Sequence, residues 1–226
     1  VEDNFTDLMK ALPDKELAYA PINSQIAKDY LAAMSCAANY GWCNRQLISY
    51  HIRKSFENIF GTNVKLDLVY DVAHNIAKIE EHEVDGQMRK LIICRKGATR
   101  AFGPGHPEIP EVYRKTGQPI IIPGSMGTAS YILVGTDKAI KETFASTPHG
   151  AGRCMSRHEA LKKYKGEDVR KELETHKIYV KGASMKGIGE EAPGVYKDID
   201  EVINITVKAG IGKLVARVVP FGVLKG

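Results

Sequence analysis

The run His149-Gly150-Ala151-Gly152-Arg153 joins a nucleophilic imidazole to a backbone almost stripped of side chains. Two glycines and an alanine let main-chain N–H groups come close to a phosphate. Arg153 and Arg157 offer planar forks for bidentate phosphate contact. A helix beginning near Ser156 would turn its positive end toward the same loop. A histidine flanked in this way is placed to attack phosphorus and form a phosphoramidate. The alternative is a glycine-rich turn with a solvated histidine, and spacing alone leaves both open because such loops are common.

Other segments carry weaker signals. Pro123-Gly124-Ser125-Met126-Gly127-Thr128-Ala129-Ser130 joins two strands with small residues and hydroxyls that suit a nucleotide, but it also reads as an ordinary hairpin turn. His74 ends an extended segment, where histidines serve as metal ligands or as satisfied core residues. No second ligand lies at a recognisable spacing from it, so local sequence does not establish a metal. Arg95-Lys96-Gly97-Ala98-Thr99-Arg100 is a basic turn. Asn39 and Asn44-Arg45 lie in a helical pattern, Asn44 on its apolar stripe, and call for buried partners or a site to face. Lys225-Gly226 closes an apolar run, Val218 to Leu224, and reads as docked rather than frayed.

These residues must be positioned by regular elements. Ser24 is an N-cap for one long helix running to about Phe60 and stopped by Gly61, with Gly41 as a site of close packing or a kink. Alternation of Val64, Leu66, Leu68, Tyr70 and Val72 predicts a strand. Strands at about 77–84 and 87–94 flank Asp85-Gly86, a strong hairpin signal. Residues 96–117 read as a long ordered loop. Strands follow at 118–122 and 128–135, helices at 137–144, 156–164 and 167–176, and a strand near 177–180. A Gly-rich loop (182–194), a helix (198–209) and strands at 213–219 and 221–224 complete the pattern. Hairpins without strict βαβ alternation predict an α+β fold, with mixed, largely antiparallel sheets and flanking helices.

Composition bounds the function. The 226 residues carry 32 Lys+Arg and 27 Asp+Glu, a formal charge of +5, and 43% are hydrophobic, enough for a sizeable core. No apolar run approaches the roughly 18 residues of a membrane span, and mixed charge with dispersed apolar residues excludes disorder as the main state. Four cysteines without a Cys-x-x-Cys fit a reducing, cytoplasmic setting rather than a disulfide framework. The acidic start has no secretory signal and no initiator Met. Charge is uneven. Residues 146–189 hold ten Lys/Arg against five Asp/Glu, and residues 89–100 hold five Lys/Arg and no acid. Basic blocks beside Gly-rich turns suit a polyanion partner, or simply a solvated face.

Seven motifs in order resemble the RtcB family of RNA ligases. They are Ala37-Ala38-Asn39-Tyr40 with Asn44-Arg45, Asp71-Val72-Ala73-His74-Asn75, Arg95-Lys96-Gly97-Ala98-Thr99-Arg100-Ala101 and Pro123-Gly124-Ser125-Met126-Gly127. His149-Gly150-Ala151-Gly152-Arg153-Cys154-Met155-Ser156-Arg157, Glu190-Glu191-Ala192-Pro193-Gly194-Val195-Tyr196-Lys197-Asp198 and Lys225-Gly226 follow. The resemblance implies a GTP- and manganese-dependent enzyme of tRNA splicing and RNA repair. A histidine becomes guanylylated, GMP passes to an RNA 3′-phosphate, and a 5′-hydroxyl displaces it; 2′,3′-cyclic phosphate ends are first opened. By motif, His149 matches the nucleophile, and His74 a manganese ligand with Asn75 beside it. Pro123, Gly124, Ser125, Met126 and Ser130 match the GMP loop, and Gly150, Ala151 and Gly152 match backbone contacts near the phosphate. Tyr196 and Lys225 match residues at the guanine; Lys96, Arg153 and Arg157 match basic groups near phosphates or RNA ends. The implied cofactors are GTP and two manganese ions, and the implied partners are tRNA halves. A need for an activating protein stays open, and no membrane is involved.

The resemblance also implies a chain about twice as long. Family members carry further metal ligands in a first half, including an Asp-x-x-Cys-Gly motif that this sequence lacks. The chain therefore reads as the carboxyl-terminal portion of a single RtcB-like catalytic domain. Alone it is expected to be inactive or very weak, and to self-associate through an apolar patch. Two other readings stand beside it: a phosphohistidine phosphotransferase or hydrolase, and a non-catalytic RNA-binding module.

Overall fold

The computed structural model describes residues 6–14 and 17–225. Val1, the acids Glu2 and Asp3, and Gly226 of the terminal motif lie outside the described residues. The chain divides into two compact units, Val1–Asp67 and Leu68–Gly226.

The first unit holds α1 (Thr6–Lys10) and α2 (Gln25–Phe60). Ser24 caps α2, its hydroxyl accepting from the Ala27 N–H, and Gly61 ends it at φ +87°. The helix runs unbroken through Gly41. Asn39 and Asn44 are exposed, which removes the need for buried partners. Residues 64–72 form no strand. Their alternation is real, but among the described residues no segment pairs with them, and alternation without cross-strand hydrogen bonds leaves irregular chain.

The second unit contains the chemistry-bearing motifs. β1 (Asn75–Val84) and β2 (Gln87–Lys96) form a hairpin closed by Asp85 (φ +52°) and Gly86 (φ +74°), both in the left-handed conformation that a tight two-residue turn demands. β3 (Ala98–Arg100) pairs antiparallel with β6 (Ser146–Pro148). The region between Lys96 and Gly117 is thus not all loop, since β3 and a 3₁₀ turn at Glu111–Tyr113 interrupt it. β4 (Pro119–Pro123), β5 (Ser130–Val134) and β8 (Lys213–Val218) form an antiparallel sheet in the order β4-β5-β8. The proline at each end of β4 fits an edge strand. β7 (Tyr179–Gly182) and β9 (Gly222–Lys225) pair in parallel. The fold is α+β with small, mostly antiparallel sheets.

Three cores hold these layers. Ile120, Ile122, Tyr131 and Leu133 of the three-stranded sheet pack with Ala139 of α3 (Asp137–Thr143) and with Ile199 and Ile203 of α7 (Ile199–Lys208). The one-turn spacing of Ile199 and Ile203 turns one face of α7 inward. A second core gathers Ala160 of α4 (Arg157–Lys163), Val169 and Leu173 of α5 (Gly166–Thr175), Ile188 of α6 (Met185–Glu190), and Met126. α6 lies inside what reads from sequence as a Gly-rich loop; Ser184 caps it by accepting from the Gly187 N–H at 3.0 Å. Phe102, Ile109 and Ala145 form the third core. Val215, Val219, Phe221 and Leu224 are exposed. Among the described residues, no helix is long and apolar enough to cross a membrane.

Candidate active site

Three chain segments meet at His149. The β3–β6 ladder pairs Ala98 with Pro148, so His149 comes opposite Gly97. The hairpin register pairs Asn75 with Lys96, which brings His74 beside the same glycine. The Gly97 N–H donates to the His74 carbonyl at 3.0 Å, and the Gly97 carbonyl accepts from the His149 N–H at 3.4 Å. The same carbonyl lies 2.7 Å from His149 Nδ1. A carbonyl only accepts, so Nδ1 carries a proton, and in the neutral imidazole the lone pair is then on Nε2. The His74 and His149 rings stack at 4.6 Å between centroids, 22° from parallel. Gly97 has φ +70°, and an added Cβ would sit 3.5 Å from His149 Cε1. A side chain at 97 would strain the turn that holds the imidazole.

The loop after His149 packs on the loop after β4. The Ala151 N–H donates to the Pro123 carbonyl at 2.9 Å, and a Cβ on Gly150 would lie 3.2 Å from that oxygen. One of the N–H groups expected to face a phosphate is therefore committed to the protein. The Pro123 loop is braced internally: Gly124 N–H to Ala129 carbonyl at 3.1 Å, and Ser125 N–H to Thr128 Oγ1 at 2.7 Å. Met126 is buried in the second core, while Ser125 and Ser130 are half-buried. Ser125 and Tyr196 also line a cavity of about 650 Å³ with Thr128, Asp198 and Arg217. That size is in the range of small-molecule pockets.

Tyr196, Lys225 and Arg153 converge on Glu191, a residue of the Glu190–Asp198 motif whose role its type and spacing do not reveal. Arg153 donates to Glu191 Oε1 at 3.1 Å, to the Glu190 carbonyl at 2.8 Å and to the Met155 carbonyl at 3.2 Å. The Tyr196 hydroxyl donates to Glu191 Oε2, and Lys225 Nζ lies 3.5 Å from that oxygen. Lys225 is docked, but by main-chain pairing rather than by burial of its apolar run, whose Val219, Phe221 and Leu224 are exposed: β9 lies along β7 and the Ala183 N–H donates to the Lys225 carbonyl at 3.0 Å. Burial, the Glu191 hydrogen bond and its charge push the Tyr196 phenol up to about 12. Burial raises the Glu191 carboxyl, but Tyr196, Lys225 and Arg153 outweigh it and hold the group below its ordinary value.

A pH dependence follows. Glu191 is depressed in the folded state, so its contribution is complete above the ordinary value of 4.5 and is lost as pH falls through the depressed one. Glu191→Gln is expected to cost about 1.5–3 kcal/mol at neutral pH, the range for hydrogen bonds to a charged group. Denaturant titrations should show the gap between the two proteins closing below pH 4.5, and a gap that is constant from neutral to acid pH would refute the assignment.

Lys96 and Arg157 are exposed, Lys96 at the end of β2 and Arg157 at the start of α4. The start of α4 is not open to a phosphate. Ser156 and Glu159 form a capping box, with Ser156 N–H to Glu159 Oε2 at 2.8 Å and Glu159 N–H to Ser156 Oγ at 3.2 Å. The helix supplies its own carboxylate there. Among the described residues, no group of three or more His, Cys, Asp or Glu comes together to hold a metal.

Known proteins bear on this arrangement. The family model described as tRNA-splicing ligase RtcB matches residues 1–226. The tRNA-splicing ligase RtcB of Archaeoglobus fulgidus is 56% identical over 95% of this chain, which covers 45% of that protein. Those of Methanococcus maripaludis and Pyrococcus horikoshii are each 55% identical over 95% of the chain, covering 45% and 25% of the relatives. The chain thus spans less than half the length of these curated relatives. With the family model matched from end to end, the chain belongs to the tRNA-splicing ligase RtcB family.

Proposed function

We propose that this chain is the carboxyl-terminal portion of a GTP-dependent RNA ligase and that His149 is its guanylylated residue. The carrying observation is the 2.7 Å contact of His149 Nδ1 with the Gly97 carbonyl, which leaves Nε2 as the nucleophile. Nε2 attacks the α-phosphorus of GTP; a P–N bond forms and pyrophosphate leaves. An RNA 3′-phosphate oxygen then takes the GMP, breaking the P–N bond. A 5′-hydroxyl attacks the RNA phosphorus, loses its proton, and releases GMP. Ends bearing a 2′,3′-cyclic phosphate enter after hydrolysis. A cytoplasmic location, tRNA halves as substrates, and roles in tRNA splicing and RNA repair go with this reading.

Ser125, Ser130, Tyr196 and Lys225 are the groups we assign to the nucleotide. Pro123, Gly124, Met126, Gly150, Ala151 and Gly152 shape its loops. Arg153, through its three contacts, braces the Glu191 cluster beside them, while Lys96 and Arg157 are exposed cations suited to RNA phosphates. Asn75 sits next to His74 at the hairpin end. Manganese would supply charge neutralisation at the triphosphate. His74 is a single ligand, and the described residues do not complete a metal site. The remaining ligands therefore belong, in this proposal, to a portion of the ligase outside this chain, and no step above is assigned to the metal.

Intact mass after incubation with GTP and manganese tests the proposal, with and without the additional segment found in the longer relatives. A GMP-sized, acid-labile adduct is expected on wild type and not on His149→Ala. Absence of the adduct with the segment supplied would overturn it, and an adduct of phosphate alone would favour a phosphohistidine enzyme. Salt-dependent RNA binding that is unchanged in His149→Ala, without any adduct, would leave the chain a non-catalytic RNA-binding module.

A further inference from the structure

The inner face of the β1–β2 hairpin carries charges where apolar residues would be expected. Glu80, His82 and Arg95 are 3%, 2% and 3% exposed. Arg95 holds Glu80 with both arms of its fork, Nη1 to Oε1 at 2.7 Å and Nη2 to Oε2 at 2.8 Å. His82 Nε2 lies 3.0 Å from Glu80 Oε2 and donates to it, since the carboxylate only accepts, while its Nδ1 is buried without a hydrogen-bond partner. A buried ion pair in a small hairpin is a poor route to stability, because desolvation offsets much of the attraction. Its remaining contacts suggest another task.

Arg95 spends every other donor it uses on the segment leading to His149. Nη2 donates to the Phe144 carbonyl at 2.8 Å and the Ala145 carbonyl at 3.4 Å, and Nε donates to Ser146 Oγ at 2.9 Å. Phe144 and Ala145 stand at φ +49° and +50°, two consecutive left-handed residues without a glycine. Such a turn persists only when its surroundings over-determine it. It delivers the chain into β6, three residues long, and then to His149. Two positions beyond Arg95 on the same chain, the Gly97 carbonyl receives the imidazole. One strand end thus grips the His149 segment twice, by a side chain at its base and by a main-chain oxygen at its tip.

We propose that the buried Glu80–Arg95 pair is a positioning device that holds residues 144–146 so that His149 meets the Gly97 carbonyl and presents Nε2. The proposal rests on the reading of His149 as nucleophile only for its effect on rate; its effect on the ring stands without it. Arg95 does not touch the reacting atoms and acts through His149.

Two variants test it in the full chain, with the additional segment of the longer relatives supplied. Arg95→Lys keeps the charge but cannot make the fork. The double variant Glu80→Met/Arg95→Met removes both charges and strands neither, although His82 loses its acceptor; thermal unfolding checks that it remains folded before the ring is examined. Nitrogen NMR of the imidazole is expected to show one tautomer in wild type, protonated at Nδ1, and exchange between tautomers in both variants. Guanylylation at saturating GTP should fall at least tenfold in both, with the KM for GTP within twofold of wild type. A double variant that retains the wild-type tautomer and rate would overturn the proposal and reduce the pair to a structural one. If wild type forms no adduct, the nucleophile reading has failed, and the tautomer alone then decides the positioning role: exchange in the variants supports it, and an unchanged single tautomer overturns it.

Discussion

Gly124→Ala is expected to destabilise the protein by about 2–4 kcal/mol and, if His149 is guanylylated as proposed, to lower adduct formation there at least tenfold. The added Cβ would lie 2.3 Å from the Ala129 carbonyl oxygen and 2.4 Å from Thr128 Oγ1, with Ile199 Cγ2 at 3.2 Å. The carbonyl cannot retreat without losing the Gly124–Ala129 hydrogen bond that closes the loop. Thr128 Oγ1 is equally committed, since it accepts from the Ser125 N–H. Any relief therefore moves the whole Pro123–Ser130 loop, and with it the Pro123 carbonyl that holds Ala151. Gly152→Ala is the natural comparison. Its Cβ would meet nothing within 4 Å, so only the positive φ of +74° counts against it, a cost of about 1–2 kcal/mol. Thermal unfolding should separate the two variants by several degrees, since about 1 kcal/mol shifts the midpoint of a chain this size by roughly 2–4 °C. Equal midpoints for the two would show that the Pro123 loop yields more easily than its hydrogen bonds imply.

Glu80→Ala is expected to cost about 3–5 kcal/mol, because it strands the Arg95 guanidinium in the interior without its partner. The comparison is the exposed pair Lys54–Glu57 in α2, where solvent screens the charges and removal of one partner should leave the unfolding midpoint nearly unchanged. The cost should depend on pH in a defined direction. Burial raises the Glu80 carboxyl, but hydrogen bonds from Arg95 and His82 outweigh it and leave the group below its ordinary value. Its stabilisation is complete above the ordinary 4.5 and declines as pH falls through the depressed value, so the difference between wild type and Glu80→Ala should shrink toward acid. Urea titrations at pH 7 and pH 3.5 measure it. A loss below 1 kcal/mol at pH 7 would mean that Arg95 finds other partners, the most obvious being the Phe144 and Ala145 carbonyls it already touches.

Several elements are written locally and could be read without the fold. The Asp85-Gly86 hairpin depends on two adjacent residues that accept positive φ. The Ser24 cap and Gly61 stop of α2 are likewise signals within one turn of the elements they bound. The errors share a different cause. Residues 64–72 alternate as a strand should, but a strand also needs a neighbour with free N–H and C=O groups, which alternation does not report. β6 escapes notice because it is three residues long and its partner β3 lies far back in the chain. α6 is masked by Gly187 and Gly189, and the packing explains a glycine there: a Cβ on Gly189 would be 2.9 Å from the Tyr164 carbonyl.

The same division runs through the site. The order of residues alone determined which chemistry is available: a histidine between small residues, hydroxyl-bearing and glycine-rich loops, dispersed cations, and a set of motifs ordered as in one ligase family. Those are properties of side-chain types and spacing. Which nitrogen of His149 is free is decided only by a carbonyl fifty-two positions earlier. Glu191 gathers Arg153, Tyr196 and Lys225 only in the fold, the last of them because strand β9 lies beside β7. The physical reason is that tautomers, burial and shifted pKa values are set by what lies within a few ångströms in space, and at these positions the neighbours come from distant parts of the chain.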